Sequence, residues 1–165
     1  MKKAVYTGSF DPITLGHLNV IQRSSRLVDH LVVGIGHNIQ KQPLFSIHER
    51  LDLVQQVTAE LGNVQVQAFT GLAVKFVEEC DAQVMIRGVR PLTDIAAEIT
   101  MTMANRRLNE SIETIFLMAD GEFAHVSSSL IKQIAPLADD EQLGKFLPAQ
   151  IIPELRNKLA NTTNS

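Results

Sequence analysis

Three stretches of the chain gather residue types suited to holding phosphates. The first runs Thr7-Gly-Ser-Phe-Asp-Pro-Ile-Thr-Leu-Gly-His17. Gly8 and Ser9 predict a tight turn with a hydroxyl and free backbone N–H groups. Asp11-Pro12 initiates a turn, and Thr14 can cap the helix that follows. Gly16, in the first helical turn, has no Cβ to hold a phosphate away from the backbone. His17 stands beside it at the helix end that attracts anions. An imidazole so placed can donate to a non-bridging oxygen as charge builds on a phosphoryl group. The second stretch, Ile86-Arg-Gly-Val-Arg-Pro-Leu-Thr-Asp94, sets Arg87 and Arg90, planar bidentate donors, around Gly88. Asp94 and Glu98 follow at i, i+4 on one face of the next helix. The third, His125-Val-Ser-Ser-Ser-Leu-Ile-Lys132, opens a helix with consecutive serines and carries Lys132 one turn inside.

Each stretch also has a plainer reading when taken alone. A lone helical histidine is more often a surface or core residue than a catalytic one. Arg87 and Arg90 fit a salt-bridging loop, Asp94 and Glu98 complement a helix dipole, and Ser127 to Ser129 over-provide a helix cap. Lys41, in the polar loop HNIQKQP, is by default a solvated lysine. Commoner chemistries lack their signatures. There is no GxxxxGKS/T loop, Gly34-Ile-Gly36 lacks a third glycine, and no GxSxG elbow occurs. Cys80, the only cysteine, has no histidine pairing, and His30, His37, His48 and His125 show no metal-ligand spacing. Direct displacement is therefore favoured over an enzyme-bound intermediate.

The elements that must position these residues alternate in kind. Strands are predicted over 4–8, 31–36, 64–69, 84–88 and 114–118. The 31–36 run is continuously apolar, as in a strand buried on both faces. Between them, one helix built on Leu18, Ile21 and Leu27 ends near Val28. Ser46 and Glu49 form a capping box that opens a helix to about Leu61. Further helices are predicted over 72–80 and 94–108, with shorter ones near 128–135 and 148–159. This pattern implies an α/β fold, a Rossmann-like five-stranded parallel sheet with helices on both faces and a C-terminal helical appendage. In such sheets ligands bind at the carboxyl ends of the strands, where all three stretches fall. We read a single domain over 1–160 with a polar tail over 161–165.

The chain has 165 residues, 45% hydrophobic and 20% charged, with a net charge of −3. That balance argues against non-specific nucleic-acid binding, and one Tyr with no Trp argues against a stacking platform for single strands. No apolar run reaches the roughly 20 residues of a membrane span, and no signal-like segment opens the chain, so the expected location is cytoplasmic.

Together the motifs resemble the nucleotidylyltransferase superfamily, with Thr14-Leu-Gly-His17 as its TxGH element and Val126-Ser-Ser-Ser129 as its late serine segment. GSFDPITLGH, IRGVRPLTD, Glu98 and FAHVSSS, in this order, resemble more closely the bacterial phosphopantetheine adenylyltransferase family over nearly the whole chain. That resemblance implies reversible adenylyl transfer from ATP to 4′-phosphopantetheine with Mg²⁺, giving dephospho-coenzyme A and pyrophosphate. It implies that His17 stabilises the transition state and that Ser9 meets both substrates. ATP would be held by Ser9, Phe10, His17, Gly88, Val89, Arg90, Glu98 and the segment Phe123, Ala124, His125, Val126, Ser127, Ser128 and Ser129. The acceptor would be held by Ser9, Lys41, Ala73 and Arg87, with Leu72 beside its pantetheine arm. It also implies a homohexamer and coenzyme A as a feedback ligand. Thr7 stands where that family often has Pro, Ser9 where Thr is common, and Ala73 and Ala97 where bulkier residues are frequent. Rival readings are a transferase acting on nicotinamide mononucleotide or glycerol phosphate, and a non-catalytic ATP-binding domain.

Overall fold

The computed structural model describes residues 2–37, 42–89 and 95–163. Five strands, β1 (Lys3–Gly8), β2 (His30–His37), β3 (Val64–Thr70), β4 (Val84–Val89) and β5 (Glu113–Met118), form one sheet in the order β3-β2-β1-β4-β5. Every pairing is parallel. The chain steps outward from β1 to β3, then returns to lay β4 on the other side of β1. That reversal opens a crevice at the carboxyl ends of β1 and β4.

The pleat of the strands sorts the core. Ala4, Tyr6, Leu31, Val33 and Ile35 point to one face, while Val5, Val32 and Met85 point to the other. The first face is covered by α1 (Leu15–Ser25), α2 (Ile47–Thr58), α5 (Ser128–Ile134) and α7 (Ile151–Thr163), through Val20, Ile21, Leu53, Ile131 and Leu155. The second face receives α3 (Ala73–Glu79), whose Val74, Phe76 and Val77 are buried.

Two sequence expectations shift. Helix α1 ends at Ser25 rather than near Val28, because the Asn63 side chain donates to the carbonyls of both Ser25 and Val28 and turns the chain there. Leu27, counted on the apolar face, is left 62% exposed. In the C-terminal appendage a short α6 (Asp140–Leu143) precedes α7, opened by a capping box between Asp139 and Gln142. Its Asp-x-x-Gln spacing was the available signal.

The far edge of the sheet is unusual in its exposure. The apolar run of β5 leaves Ile115, Phe116 and Met118 accessible, and the adjoining α4 (Ile95–Leu108) exposes Ile95, Ile99, Met101, Met103 and Leu108. Asn105 is the one buried residue of α4. No helix among the described residues is long and apolar enough to cross a membrane.

Candidate functional site

The turn after β1 is built around Phe10, which adopts a left-handed backbone (φ +47°) and buries its ring completely. That conformation is costly for a non-glycine residue and persists only where packing over-determines it. Here the ring meets Tyr6 edge-on at 5.4 Å and His17 at 5.1 Å. A Cβ on Gly8 would fall 2.9 Å from the same ring and would have to displace it. Phe10 therefore acts as a floor beneath His17, and Ser9 beside it is exposed.

Asp11 fastens this turn to two other segments. Its carboxylate accepts from the backbone N–H groups of Leu44 and Phe45 at 3.0 and 2.8 Å and pairs with Lys132 of α5 at 2.7 Å. Lys132, expected near phosphate oxygens, is thus committed to Asp11. From α2, the buried Arg50 donates Nη1 to the carbonyls of Ser9 and Gly36, at 2.8 and 3.3 Å. It joins the carboxyl ends of β1 and β2. Burial pushes the Arg50 guanidinium below its ordinary value, with Asp11 opposing the shift. In the sequence Asp11 marks only a turn, and Arg50 carries no signal of a role. Nothing local distinguishes Arg50 from a surface helix arginine.

Helix α1 starts at a capping box in which Thr14 and His17 bond each other reciprocally. Gly16 faces the Phe123 carbonyl, 3.4 Å from where a Cβ would sit. On the opposite wall, Arg87 of β4 donates Nε and Nη2 to Glu98 of α4, each at 2.8 Å, and Nη1 to Thr7. Burial works against the Arg87 charge, but the hydrogen-bonded Glu98 carboxylate more than restores it and holds the guanidinium above its ordinary value. Gly88 is pinned by Tyr6, whose hydroxyl lies 2.8 Å from where a Cβ would be. Burial raises the pKa of that phenol well above its usual range, so it stays neutral.

The three serines divide their work. Ser127 caps α5 by accepting from Leu130 N–H, Ser128 donates to the Pro12 carbonyl at 2.8 Å, and Ser129 is exposed. All three line, with Ser9, His17, Arg87, Gly88, Val89, Glu98, Phe123 and Val126, a cavity of about 400 Å³ at the β1/β4 crevice. Cavities of about 550 and 630 Å³ lie elsewhere, but neither holds these groups. Leu72 and Ala73 sit at the start of α3, beyond the end of β3, and do not line the cavity. Nor do Phe10, Ala124 or His125, whose exposed ring meets Phe146 edge-on. Lys41, Arg90 and Asp94 lie outside the described residues. Thr7, a turn residue in the sequence, joins the lining, as does Ala97, one of the small residues where bulkier ones are frequent.

Comparison with known proteins identifies the family. Residues 5–134 match the cytidylyltransferase-like family model. A phosphopantetheine adenylyltransferase of Rhodopirellula baltica is 63% identical over 158 residues, covering 95% of this chain and 88% of its own. One from Clostridium botulinum is 41% identical over 159 residues, covering 96% of each. Among solved structures, the nicotinic acid mononucleotide adenylyltransferase of Plasmodium falciparum complexed with NaAD superposes with a TM-score of 0.64 at 14% identity, covering 95% of this chain and 96% of that one. That last likeness speaks to the fold alone.

Proposed function

The chain belongs to the phosphopantetheine adenylyltransferases within the cytidylyltransferase-like family, and we propose from this premise that its adenylyl transfer runs by direct in-line displacement at the β1/β4 crevice. The reaction moves the adenylyl group of ATP to 4′-phosphopantetheine, giving dephospho-coenzyme A and pyrophosphate in coenzyme A biosynthesis. What carries the mechanistic reading is the gathering of Ser9, His17, Arg87 and the Ser127–Ser129 segment on one cavity.

The attacking atom is an oxygen of an already ionised phosphate, so no general base is needed. Catalysis reduces to alignment and to stabilising charge on the α-phosphoryl group. Thr14 N–H donates to His17 Nδ1 at 3.2 Å, so the neutral ring carries its proton on Nε2. That N–H is the donor for a non-bridging α-phosphate oxygen. Arg87 and Lys41 receive the acceptor phosphate, Ser9 meets both substrates, and Leu72 and Ala73 flank the pantetheine arm. Gly88 to Arg90, Glu98 and the segment 123–129 hold ATP. Phe10 contributes to that site as the buried support of His17. Mg²⁺ bound with ATP would supply charge neutralisation at the phosphates; Glu98, the carboxylate among the described residues lining the cavity, is engaged by Arg87, so the metal would be held through ATP rather than by a protein carboxylate.

The exposed apolar face of α4 and β5 favours a homo-oligomer, since an uncovered apolar edge strand is a liability in a monomer. We read the assembly as a hexamer of a cytoplasmic enzyme. Coenzyme A, which shares the adenosine and pantetheine parts of the product, acts as a feedback ligand.

Two measurements test the mechanism. Purified protein with Mg²⁺, ATP and either 4′-phosphopantetheine, nicotinamide mononucleotide or glycerol phosphate is expected to release pyrophosphate with the first acceptor alone. ATP made chiral at the α-phosphorus is expected to give inverted product. Retention would sink direct displacement in favour of an enzyme-bound intermediate.

A further inference from the structure

The ladder between β1 and β4 runs from Ala4↔Val84 to Tyr6↔Ile86 and stops there. One step further, Thr7 and Arg87 face each other across an opened edge, and a side chain replaces the missing backbone bond. Arg87 Nη1 donates to the Thr7 carbonyl and to Thr7 Oγ1, each at 3.0 Å. The hydroxyl hydrogen is directed to Met85 Sδ at 3.9 Å, which leaves the oxygen's lone pairs for the guanidinium. Thr7 itself is 4% exposed.

The guanidinium is therefore gripped on two sides of different character. Glu98 takes the Nε and Nη2 edge with a carboxylate, and Thr7 takes Nη1 with two uncharged oxygens. A phosphate and a carboxylate compete for the same fork of donors, because both present paired anionic oxygens. Neutral buried oxygens do not enter that competition. An anion that draws Arg87 away from Glu98 leaves Thr7 as the anchor that keeps the guanidinium at the sheet edge.

We propose that Thr7 is a positioning residue for the acceptor phosphate, acting through Arg87 by the hydrogen bond from Nη1 to its hydroxyl. The inference rests on the reading that Arg87 receives that phosphate, and the test separates the two. Binding of 4′-phosphopantetheine and of pantetheine, which lacks the phosphate, is measured calorimetrically on the wild type, Thr7→Val, Thr7→Ser and Arg87→Ala.

Thr7→Val keeps the shape and removes the hydroxyl. It is expected to weaken 4′-phosphopantetheine about ten- to a hundredfold, the scale of one hydrogen bond to a charged group. Pantetheine affinity, the KM for ATP and kcat should change little, and Thr7→Ser should restore the phosphorylated ligand. Arg87→Ala should abolish most of the preference for the phosphorylated ligand. If it does not, the assignment of Arg87 fails and the Thr7 proposal falls with it. If Arg87→Ala abolishes the preference while Thr7→Val preserves it, the proposal alone is overturned. An equal loss for both ligands, or failure of Thr7→Val to fold, would make Thr7 a purely structural residue and overturn it as well.

Discussion

Thr14 and His17 clasp each other at the start of α1: Thr14 N–H donates to His17 Nδ1 at 3.2 Å, and His17 N–H donates to Thr14 Oγ1 at 3.4 Å. Most capping boxes use a carboxylate or an amide at the second position. Here the imidazole fills it, so the interaction that begins the helix also fixes the ring and its tautomer. With Phe10 packed beneath it, the ring is preorganised before any substrate binds. His17→Ala is expected to lower kcat by about 10²–10³, the scale of one lost preorganised donor. Steady-state pyrophosphate release measures it, and unchanged turnover would remove His17 from the chemistry.

Ser127 and Ser129 should respond oppositely to the same substitution. Ser127→Ala removes the α5 cap and should lower stability by about 1 kcal/mol. Ser129→Ala removes an exposed hydroxyl on the cavity wall, so the melting temperature should hold while the KM for ATP rises severalfold. Thermal unfolding and ATP titration of the two variants separate cap from ligand. A Ser129→Ala variant with an unaltered ATP KM would remove that serine from the site.

These serines also mark how far the sequence could be read. Their grouping was visible in the string SSS, but the division of labour among them depends on Pro12 and Leu130, one of them far away in the chain. The parallel sheet was legible for a similar reason, though not the order of its strands. Continuous apolar runs after each helix require a covered parallel sheet, and the chemistry-bearing residues all follow strands. What could not be read were the long-range partners. Lys132 looked like a phosphate ligand because Asp11 lies 121 positions away. Arg50 carried no signal because its acceptors are backbone carbonyls of two strands. The resemblance set Phe10 among the residues holding ATP, whereas its ring is fully buried against Tyr6 and His17. The apolar run of β5 suggested nothing of its place on the sheet edge, because burial on both faces and burial by another chain favour the same residues.

That β5 edge gives the third prediction. Met103, 67% exposed on α4, lies among apolar residues that water meets in the single chain. If this face is covered in a homo-oligomer, Met103→Glu would bury an unpaired charge and should dissociate the assembly. Analytical ultracentrifugation is expected to show a multimer for the wild type and smaller species for the variant. A wild-type monomer, or a variant with an unchanged sedimentation coefficient, would exclude Met103 from an interface.

Helices α2 and α7 are tied by Glu49 and Lys158, with Nζ–Oε distances of 2.7 and 2.8 Å. The hydrogen bond from Lys158 holds the Glu49 carboxyl below its ordinary value of 4.5. A carboxyl whose pKa is depressed in the folded state binds fewer protons there than in the unfolded chain. Its contribution is therefore complete above pH 4.5 and is lost as pH falls from there through the folded value. Glu49→Gln retains the bond to the Ser46 N–H that opens α2 and removes only the charge pair. Because the pair is substantially exposed, its worth is that of a surface ion pair, about 0.2–1 kcal/mol. Melting curves at pH 7 should place the variant roughly 0.5–4 °C below the wild type. The gap should close on acidification below the ordinary glutamate range and shrink with added salt. A gap that is constant across that pH range would show that the ion pair does not hold α7 against α2.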